Sequence, residues 1–192
     1  MKKFLVSALM LLAASTTTFA QNAVGSFSLQ PKAGISIADM TDTQGTTSRI
    51  GFVGGLEGEY QASDIFSLSL GVNYSQEGFK MKNSDNKIKL DYINVPILAN
   101  VYLTKGLAVK VGVQPGFNVG NSVTVDGNTM SSSKKDYDGI KSVALSIPVG
   151  LSYEISNVVL DARYNWGVTK AFDGLDSKNS VFQVTIGYKF QL

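Results

Sequence analysis

Apolar and polar residues alternate with a period of two over much of the chain, and the pattern is cleanest near the C-terminus. The stretch Val181–Phe190 places aromatic and aliphatic side chains on one face, namely Phe182, Val184, Ile186, Tyr188 and Phe190. The residues between them are mostly polar. A period of two is typical of a β-strand with one apolar and one polar face. We expect this last strand to close the ring of a β-barrel.

Seven further segments show the same alternation, so the sequence predicts eight strands. Their approximate limits are Phe27–Ala38, Ile50–Tyr60, Phe66–Ser75, Tyr92–Leu103, Leu107–Val119, Val143–Tyr153 and Val158–Val168. No position on the apolar face of the eight segments carries a charge, although charged residues make up 17% of the chain. The pattern therefore indicates a fold with one strictly apolar surface.

The apolar face could line the interior of a soluble barrel or contact the lipid around a membrane barrel. The polar face is rich in glycine and serine, which suits the crowded lumen of a small barrel better than a solvated surface. Aromatic residues of the apolar face lie near strand ends, as in the two aromatic girdles of an outer-membrane barrel. One girdle would contain Phe27, Tyr60, Phe66, Tyr153, Tyr188 and Phe190, and the other Tyr74, Phe117 and Trp166. Both features favour an all-β, eight-stranded antiparallel up-and-down transmembrane β-barrel.

The predicted connections alternate between short and long, which is a second mark of such barrels. Short turns are predicted at Gln61–Ile65, Thr104–Gly106 and Glu154–Asn157, on the periplasmic side. Long connections are predicted at Asp39–Arg49, Phe79–Asp91, Gly120–Ser142 and Lys170–Ser180. Protruding hairpins are expected around residues 83–86 and at Asp126-Gly127, a tight-turn dipeptide.

All four prolines, Pro31, Pro96, Pro115 and Pro148, fall within predicted strands. Proline has no N–H to donate to a β-ladder, so it is rare in paired strands. We expect bulges or local breaks in the ladder at these positions.

The N-terminus predicts export. Lys2 and Lys3 precede an apolar run of eleven residues, Phe4–Ala14, and the small residues near Ala20 suggest cleavage between Ala20 and Gln21. The run is too short for a transmembrane helix, which needs about 20 apolar residues. We therefore expect a signal peptide over residues 1–20 and a barrel domain over 21–192.

Charge and cysteine content narrow the class of protein. The chain has no cysteine, so it carries neither a lipid-modified cysteine nor disulfides. Removal of Lys2 and Lys3 would leave 15 of the 17 basic residues against 15 acidic ones, and this near-neutral balance argues against nucleic-acid binding.

Several stretches resemble the PorT-like, porin-family outer-membrane β-barrels of Gram-negative bacteria. They are Asp91–Leu98, which contains Asn-Val-Pro-Ile, the glycine-rich Val111–Phe117, and Leu160–Val168, which contains Ala-Arg-Tyr-Asn-Trp-Gly-Val. The resemblance implies an eight-stranded barrel in the outer membrane and no catalytic residues. It also implies contact with the barrel-assembly machinery through a closing strand that contains Tyr188, Phe190 and Leu192.

Charged residues on the polar face form the candidate site. They are Lys32, Glu57, Glu59, Lys110, Asp161, Arg163 and Lys189, and all are expected in the periplasmic half of the lumen. Lys32 should lie level with Glu57, and Lys189 beside Asp161 and Arg163. Buried charges need partners, so the set predicts an ion-pair network that fills the lumen. A proton or ion path is the alternative.

The predicted loops carry an exposed basic group of Lys80, Lys82, Lys87, Lys89, Lys134 and Lys135, which is either simply solvated or contacts lipopolysaccharide phosphates or a partner. The chain has no histidine for an acyl-transfer site or a serine triad, so an enzyme is not expected. No cofactor motif or Cys/His metal cluster is present in the sequence.

The sequence thus predicts a non-enzymatic outer-membrane barrel that serves envelope structure and presents loops for recognition or adhesion. The alternatives are a narrow channel for ions or small solutes and a soluble, lipocalin-like barrel that binds a lipophilic ligand. A lipid-modifying enzyme without histidine is a weaker possibility. Expected partners are outer-membrane lipid, lipopolysaccharide and the barrel-assembly machinery, with no nucleic acid. The sequence names no surface partner.

Overall fold

The computed structural model describes residues 23–41, 46–82, 86–125, 128–132, 141–170 and 178–192, and every regular element in these ranges is a β-strand. The strands are β1 (Phe27–Thr41), β2 (Thr46–Ser63), β3 (Phe66–Met81), β4 (Lys87–Asn94), β5 (Ile97–Thr104), β6 (Leu107–Val125), β7 (Asn128–Ser132), β8 (Val143–Ile155), β9 (Val158–Lys170), β10 (Lys178–Tyr188) and β11 (Phe190–Gln191). No helix in the described ranges is both long and apolar enough to cross a bilayer.

These strands occupy eight positions in a closed antiparallel ring. β4 and β5 together form one position between β3 and β6, β10 and β11 form another between β9 and β1, and β7 only extends β6. The ring closes where Lys32 pairs with Gly187 and Leu29 with Phe190, and Leu192 N donates to Phe27 O at 2.9 Å. The predicted eight-stranded barrel and its C-terminal closing strand are confirmed.

The apolar side chains face out of the barrel. Ile97, Val111 and Leu145 are 48%, 45% and 38% exposed, whereas Glu57 and Arg163 are 1% and 2% exposed. A soluble barrel with a lipophilic ligand inside would need the opposite arrangement, so that alternative is wrong. An exposed apolar belt around a closed ring is the surface that a bilayer requires.

Aromatic side chains mark both edges of this belt. The rings of Phe27 and Tyr60 are 5.2 Å apart and those of Tyr188 and Phe190 are 4.8 Å apart, at the end of the barrel that holds the short turns. Toward the opposite end, Tyr74, Phe117 and Trp166 are exposed on the outer surface. We call the two ends of the barrel the short-turn end and the long-connection end.

The strands extend further at the long-connection end than the apolar alternation predicts. β2 begins at Thr46 rather than Ile50, β3 continues to Met81, and β6 continues to Val125. Both predicted hairpins are present, because Lys80 pairs with Lys87 and Val125 with Asn128. The tip residues 83–85 and 126–127 lie outside the described ranges.

The turns at the short-turn end are tighter than predicted. β8 runs to Ile155, so only Ser156 and Asn157 connect it to β9. Both residues have positive φ, at 48° and 76°, as a two-residue hairpin turn of type I′ requires.

Three of the four prolines interrupt the ladder. Pro96 lies in the break between β4 and β5, and Pro31 lies opposite the break between β10 and β11. The pairing of β6 with β8 is also interrupted between Val149 and Ser146, where Pro148 lies. The missing N–H of each proline accounts for the expected local breaks, whereas Pro115 remains paired with Leu145.

Candidate functional site

The lumen near the short-turn end contains the charged residues that the sequence selects. All seven are buried: Lys32, Glu57, Glu59, Lys110, Asp161, Arg163 and Lys189. They project inward from β1, β2, β6, β9 and the junction of β10 with β11. Since inward and outward side chains alternate along each strand, the same pattern that produces the apolar belt places these charges inside.

Glu57 is the centre of the network. Its Oε1 lies 2.9 Å from Lys110 Nζ, and its Oε2 lies 3.3 Å from Arg163 Nη2 and also accepts from Lys32 Nζ. In strand register Lys32 is opposite Gly55, so its ammonium reaches Glu57 diagonally. One buried carboxylate therefore holds three cations from three different strands.

Asp161 completes this cluster. Its Oδ2 lies 3.1 Å from Lys110 Nζ and 2.9 Å from Arg163 Nη2. Lys110 and Arg163 each bridge the two carboxylates, so the four groups form a closed set of contacts that crosses the lumen. We call Lys32, Glu57, Lys110, Asp161 and Arg163 the central cluster.

Lys189 lies in a separate group, and the expectation that it neighbours Asp161 and Arg163 is wrong. Its Nζ is 3.0 Å from Glu59 Oε2 and 2.7 Å from Glu154 Oε2. Strand register explains the difference, because Asp161 pairs with Thr185, four residues from Lys189. Glu59 also accepts from Ser67 Oγ at 2.5 Å and from the Tyr102 hydroxyl.

The two groups together are electrically balanced. Four cationic side chains (Lys32, Lys110, Arg163, Lys189) contact four carboxylates (Glu57, Glu59, Asp161, Glu154). Each carboxylate accepts from at least one cation. No group of three or more His, Cys, Asp or Glu side chains that could hold a metal ion occurs among the described residues. The arrangement can plug the lumen and hold strands together.

A basic group lies outside the lumen on the β3–β4 hairpin. Lys80 and Lys82 are exposed, and Lys87 and Lys89 are half-buried. Register places Lys80, Lys87 and Lys89 on the outer face, because Tyr74 pairs with outward-facing Ile93 and the same register continues to the pair of Lys80 and Lys87. None of the four makes an ion pair with a described residue. Lys134 and Lys135 lie outside the described ranges.

Sequence reasoning missed two buried charged residues near the long-connection end. Glu77 is 5% exposed, and Arg49, 7% exposed, donates from Nη1 to the backbone carbonyl of Glu77. Glu154 also differs from expectation, since the sequence predicts a turn from Glu154 to Asn157 and the structure places Glu154 in β8. The strand limits at Ser75 and Ile50 excluded the first two. Continuing the inward parity of β3 from Ser75 by two residues would have found Glu77.

Comparison with known proteins agrees with this geometry. The family of outer membrane protein beta-barrel domains matches residues 19–173. Ail, the attachment invasion locus protein of Yersinia pestis, solved with the heparin analogue sucrose octasulfate, is 18% identical over 87% of this chain and 99% of Ail, with a TM-score of 0.55. Neisserial surface protein A is 20% identical over 85% of this chain and 97% of that protein, with a TM-score of 0.57. A search of curated proteins found no match.

Proposed function

The chain belongs to the family of outer membrane protein β-barrel domains, and from that premise we propose that it is a non-enzymatic envelope protein whose protruding hairpins recognise a surface partner. The protein is an integral β-barrel of the outer membrane. The short-turn end faces the periplasm in such barrels and the long connections face outward. The lumen at the short-turn end is therefore filled with side chains, and the long connections at the other end carry the recognition role.

The filled lumen argues against transport. A barrel of eight strands is just wide enough for its own side chains to fill. Here the central cluster crosses the lumen and all five of its residues are buried. A solute that passed the cluster would separate buried ion pairs. Each buried charge left without its partner costs several kcal/mol.

The outward face of the β3–β4 hairpin is the observation that carries the recognition role. Lys80 and Lys87 lie directly opposite each other, and like charges in that position destabilise a strand pair. An anionic partner would relieve the repulsion. Lys89 lies four residues beyond Ile93 along β4, and Lys80 lies six residues beyond Tyr74 along β3. At about 3.3 Å per residue and a strand tilt of about 40°, these offsets place the two lysines roughly 10–15 Å above the outer aromatic girdle. Phosphates of lipopolysaccharide are anions at about that height.

A binding measurement tests this role. The double variant Lys80→Gln/Lys87→Gln should bind purified lipopolysaccharide about tenfold more weakly than the wild type, because two solvent-accessible ion pairs of up to about 1 kcal/mol each are lost. Lys105→Gln is the control, since Lys105 is exposed at the short-turn end. Binding of dephosphorylated lipopolysaccharide should be weak in all three proteins. Equal binding of the two lipids, or an unchanged double variant, would refute the role.

A narrow channel is the second candidate function, and planar-bilayer recording separates it from the first. We expect no steady open-state current from the refolded wild type, because the central cluster blocks the lumen. A steady current that changes when Arg163 or Glu57 is replaced would instead establish an ion path through the cluster.

The route to the membrane belongs to the same proposal. We propose that residues 1–20 are a signal peptide, that the mature chain begins at Gln21, and that the barrel-assembly machinery reads a closing strand containing Tyr188, Phe190 and Leu192. The PorT-like resemblance supports this route. N-terminal sequencing of protein extracted from outer membranes tests the first step, and any start other than Gln21 would correct the cleavage site.

A further inference from the structure

A second polar group occupies the lumen nearer the long-connection end, and it differs from the central cluster in charge. Glu77 on β3 is buried, and among the described residues its carboxylate accepts from three neutral donors. Ser75 Oγ and Asn94 Nδ2 lie 2.7 and 3.2 Å from Oε1, and Asn179 Nδ2 lies 3.0 Å from Oε2. The Arg49 guanidinium donates to the backbone carbonyl of Glu77, not to the carboxylate.

Glu77 lines a small, partly open cavity on the inner side of the barrel wall. The cavity has a volume of about 20 Å³, which holds one particle the size of a water molecule. Gln114 and Asn165 also line it, and both side chains are at least 97% buried. Gln114 Oε1, Asn165 Oδ1 and Asn165 Nδ2 have no hydrogen-bond partner among the described residues. The residues that line the cavity therefore carry one carboxylate, two amide oxygens without a partner and one amide NH2 group without a partner.

This group lacks what the central cluster has. In the central cluster each carboxylate contacts cations at 2.9–3.3 Å or closer, whereas no cationic side chain in the described ranges lies within salt-bridge distance of the Glu77 carboxylate. A buried carboxylate without a counter-charge is strongly unfavourable. The three neutral hydrogen-bond donors suit the ionised form, and that form needs a positive charge beside it.

We propose that this cavity binds a single monovalent metal cation, Na⁺ or K⁺, through the Glu77 carboxylate, Gln114 Oε1 and Asn165 Oδ1. Carboxylate and amide oxygens are ligands for hard cations. One negative charge matches one positive charge, while a divalent ion would leave an excess positive charge in the lumen. The volume excludes larger organic cations. The bound ion ties β3, β6 and β9 together across the lumen.

The surroundings of the cavity favour a small ion. Met40, Phe79 and Ile88 form an apolar cluster inside the barrel, closer to the long-connection end than Glu77. The central cluster fills the lumen on the other side. A cation in this cavity lies between an apolar cap and a set of fixed charges, so it contributes to stability and is not part of a continuous pathway.

Unfolding in different salts tests the site on the complete refolded protein. Urea titrations are run in Na⁺, K⁺ and tetramethylammonium chloride at equal ionic strength and constant pH. The wild-type midpoint should be higher in Na⁺ or K⁺ than in tetramethylammonium, and it should rise with the concentration of the small cation. Glu77→Gln should remove this difference, whereas Glu154→Gln, which changes a carboxylate outside the cavity, should retain it.

Three results would overturn the proposal. The first is equal urea midpoints of the wild type in all three salts. The second is a difference in midpoint between the salts that persists in Glu77→Gln. The third is a wild-type stability that rises on acidification but does not depend on the cation. The last result would show a protonated Glu77 with water in the cavity. If Glu77→Gln does not refold, the wild-type salt comparison is combined with Gln114→Leu, which removes one oxygen ligand and no charge. The difference in urea midpoint between the salts should then be smaller in Gln114→Leu than in the wild type, and an equal difference would overturn the proposal.

Discussion

Neutralising Glu57 should destabilise the barrel more than any other single charge change in the lumen. Within the central cluster, Glu57 and Asp161 face the three cations Lys32, Lys110 and Arg163. Glu57→Gln leaves Asp161 alone against three buried cations. Removing one partner of a buried ion pair costs about 3–5 kcal/mol, and Glu57 is a partner of all three cations, so we expect the upper part of that range.

The assay is a urea titration of the refolded protein in lipid bilayers, followed through the fluorescence of Trp166. Trp166 is the single tryptophan of the chain and is 61% exposed on the outer surface, so its emission reports loss of lipid contact. The control is Glu154→Gln. The Glu154 side chain is 17% exposed against 1% for Glu57, and its one ion pair among the described residues is with Lys189, so its loss should cost about 1 kcal/mol.

A double variant separates electrostatics from packing. Lys32→Met combined with Glu57→Gln removes one charge of each sign, so the cluster keeps the net charge of the wild type. The double variant should therefore be more stable than Glu57→Gln alone. If Glu57→Gln costs no more than Glu154→Gln, or if the double variant is the less stable of the two, the ion-pair account of the plug is wrong.

Three further predictions concern the outer surface, a strained position in β3 and the closing strand. Val111→Arg should lower the unfolding free energy in bilayers by about 2–4 kcal/mol, and Leu103→Arg, near the short-turn end, by about 0–1 kcal/mol, since the cost depends on depth; equal costs would contradict the assigned depths. Gly78→Ala should lower the urea midpoint, because Gly78 has φ of 112° and an added Cβ would lie 2.1 Å from Ile88 O; an unchanged midpoint would contradict this. Phe190→Ala should reduce the folded, heat-modifiable fraction recovered from outer membranes more than it changes stability in vitro, and an equal yield would argue against a signal in the closing strand.

The alternation of apolar and polar residues predicts most of this fold because lipid and lumen impose different chemistry on neighbouring residues. It predicts the eight strands, their facing and the inward position of Glu57. The signal ends where the strands leave the bilayer, because outward residues such as Lys80 are then also polar. The alternation therefore predicts an end of β3 at Ser75, two residues before Glu77.

The contacts between side chains of different strands are harder to predict than the face of the barrel wall on which a side chain lies. The inward position of Lys189 follows from parity, but its contacts with Glu59 and Glu154 depend on the register between strands and on the tight turn at Ser156 and Asn157. Sequence spacing along one strand does not contain that information. The Glu77 cavity likewise depends on β3, β6, β9 and β10 meeting in the lumen, so periodicity alone could not reveal it.

The direction in which the two faces point is the central claim, and spin labels on β6 test it most directly. The chain has no cysteine, so single cysteines at Val111, Val113 and Gln114 can each be labelled cleanly. In bilayers, labels at Val111 and Val113 should collide freely with oxygen dissolved in the lipid and poorly with a water-soluble nickel reagent, while the label at Gln114 should show little contact with lipid. A lipid-exposed label at Gln114 together with shielded labels at Val111 and Val113 would contradict the account.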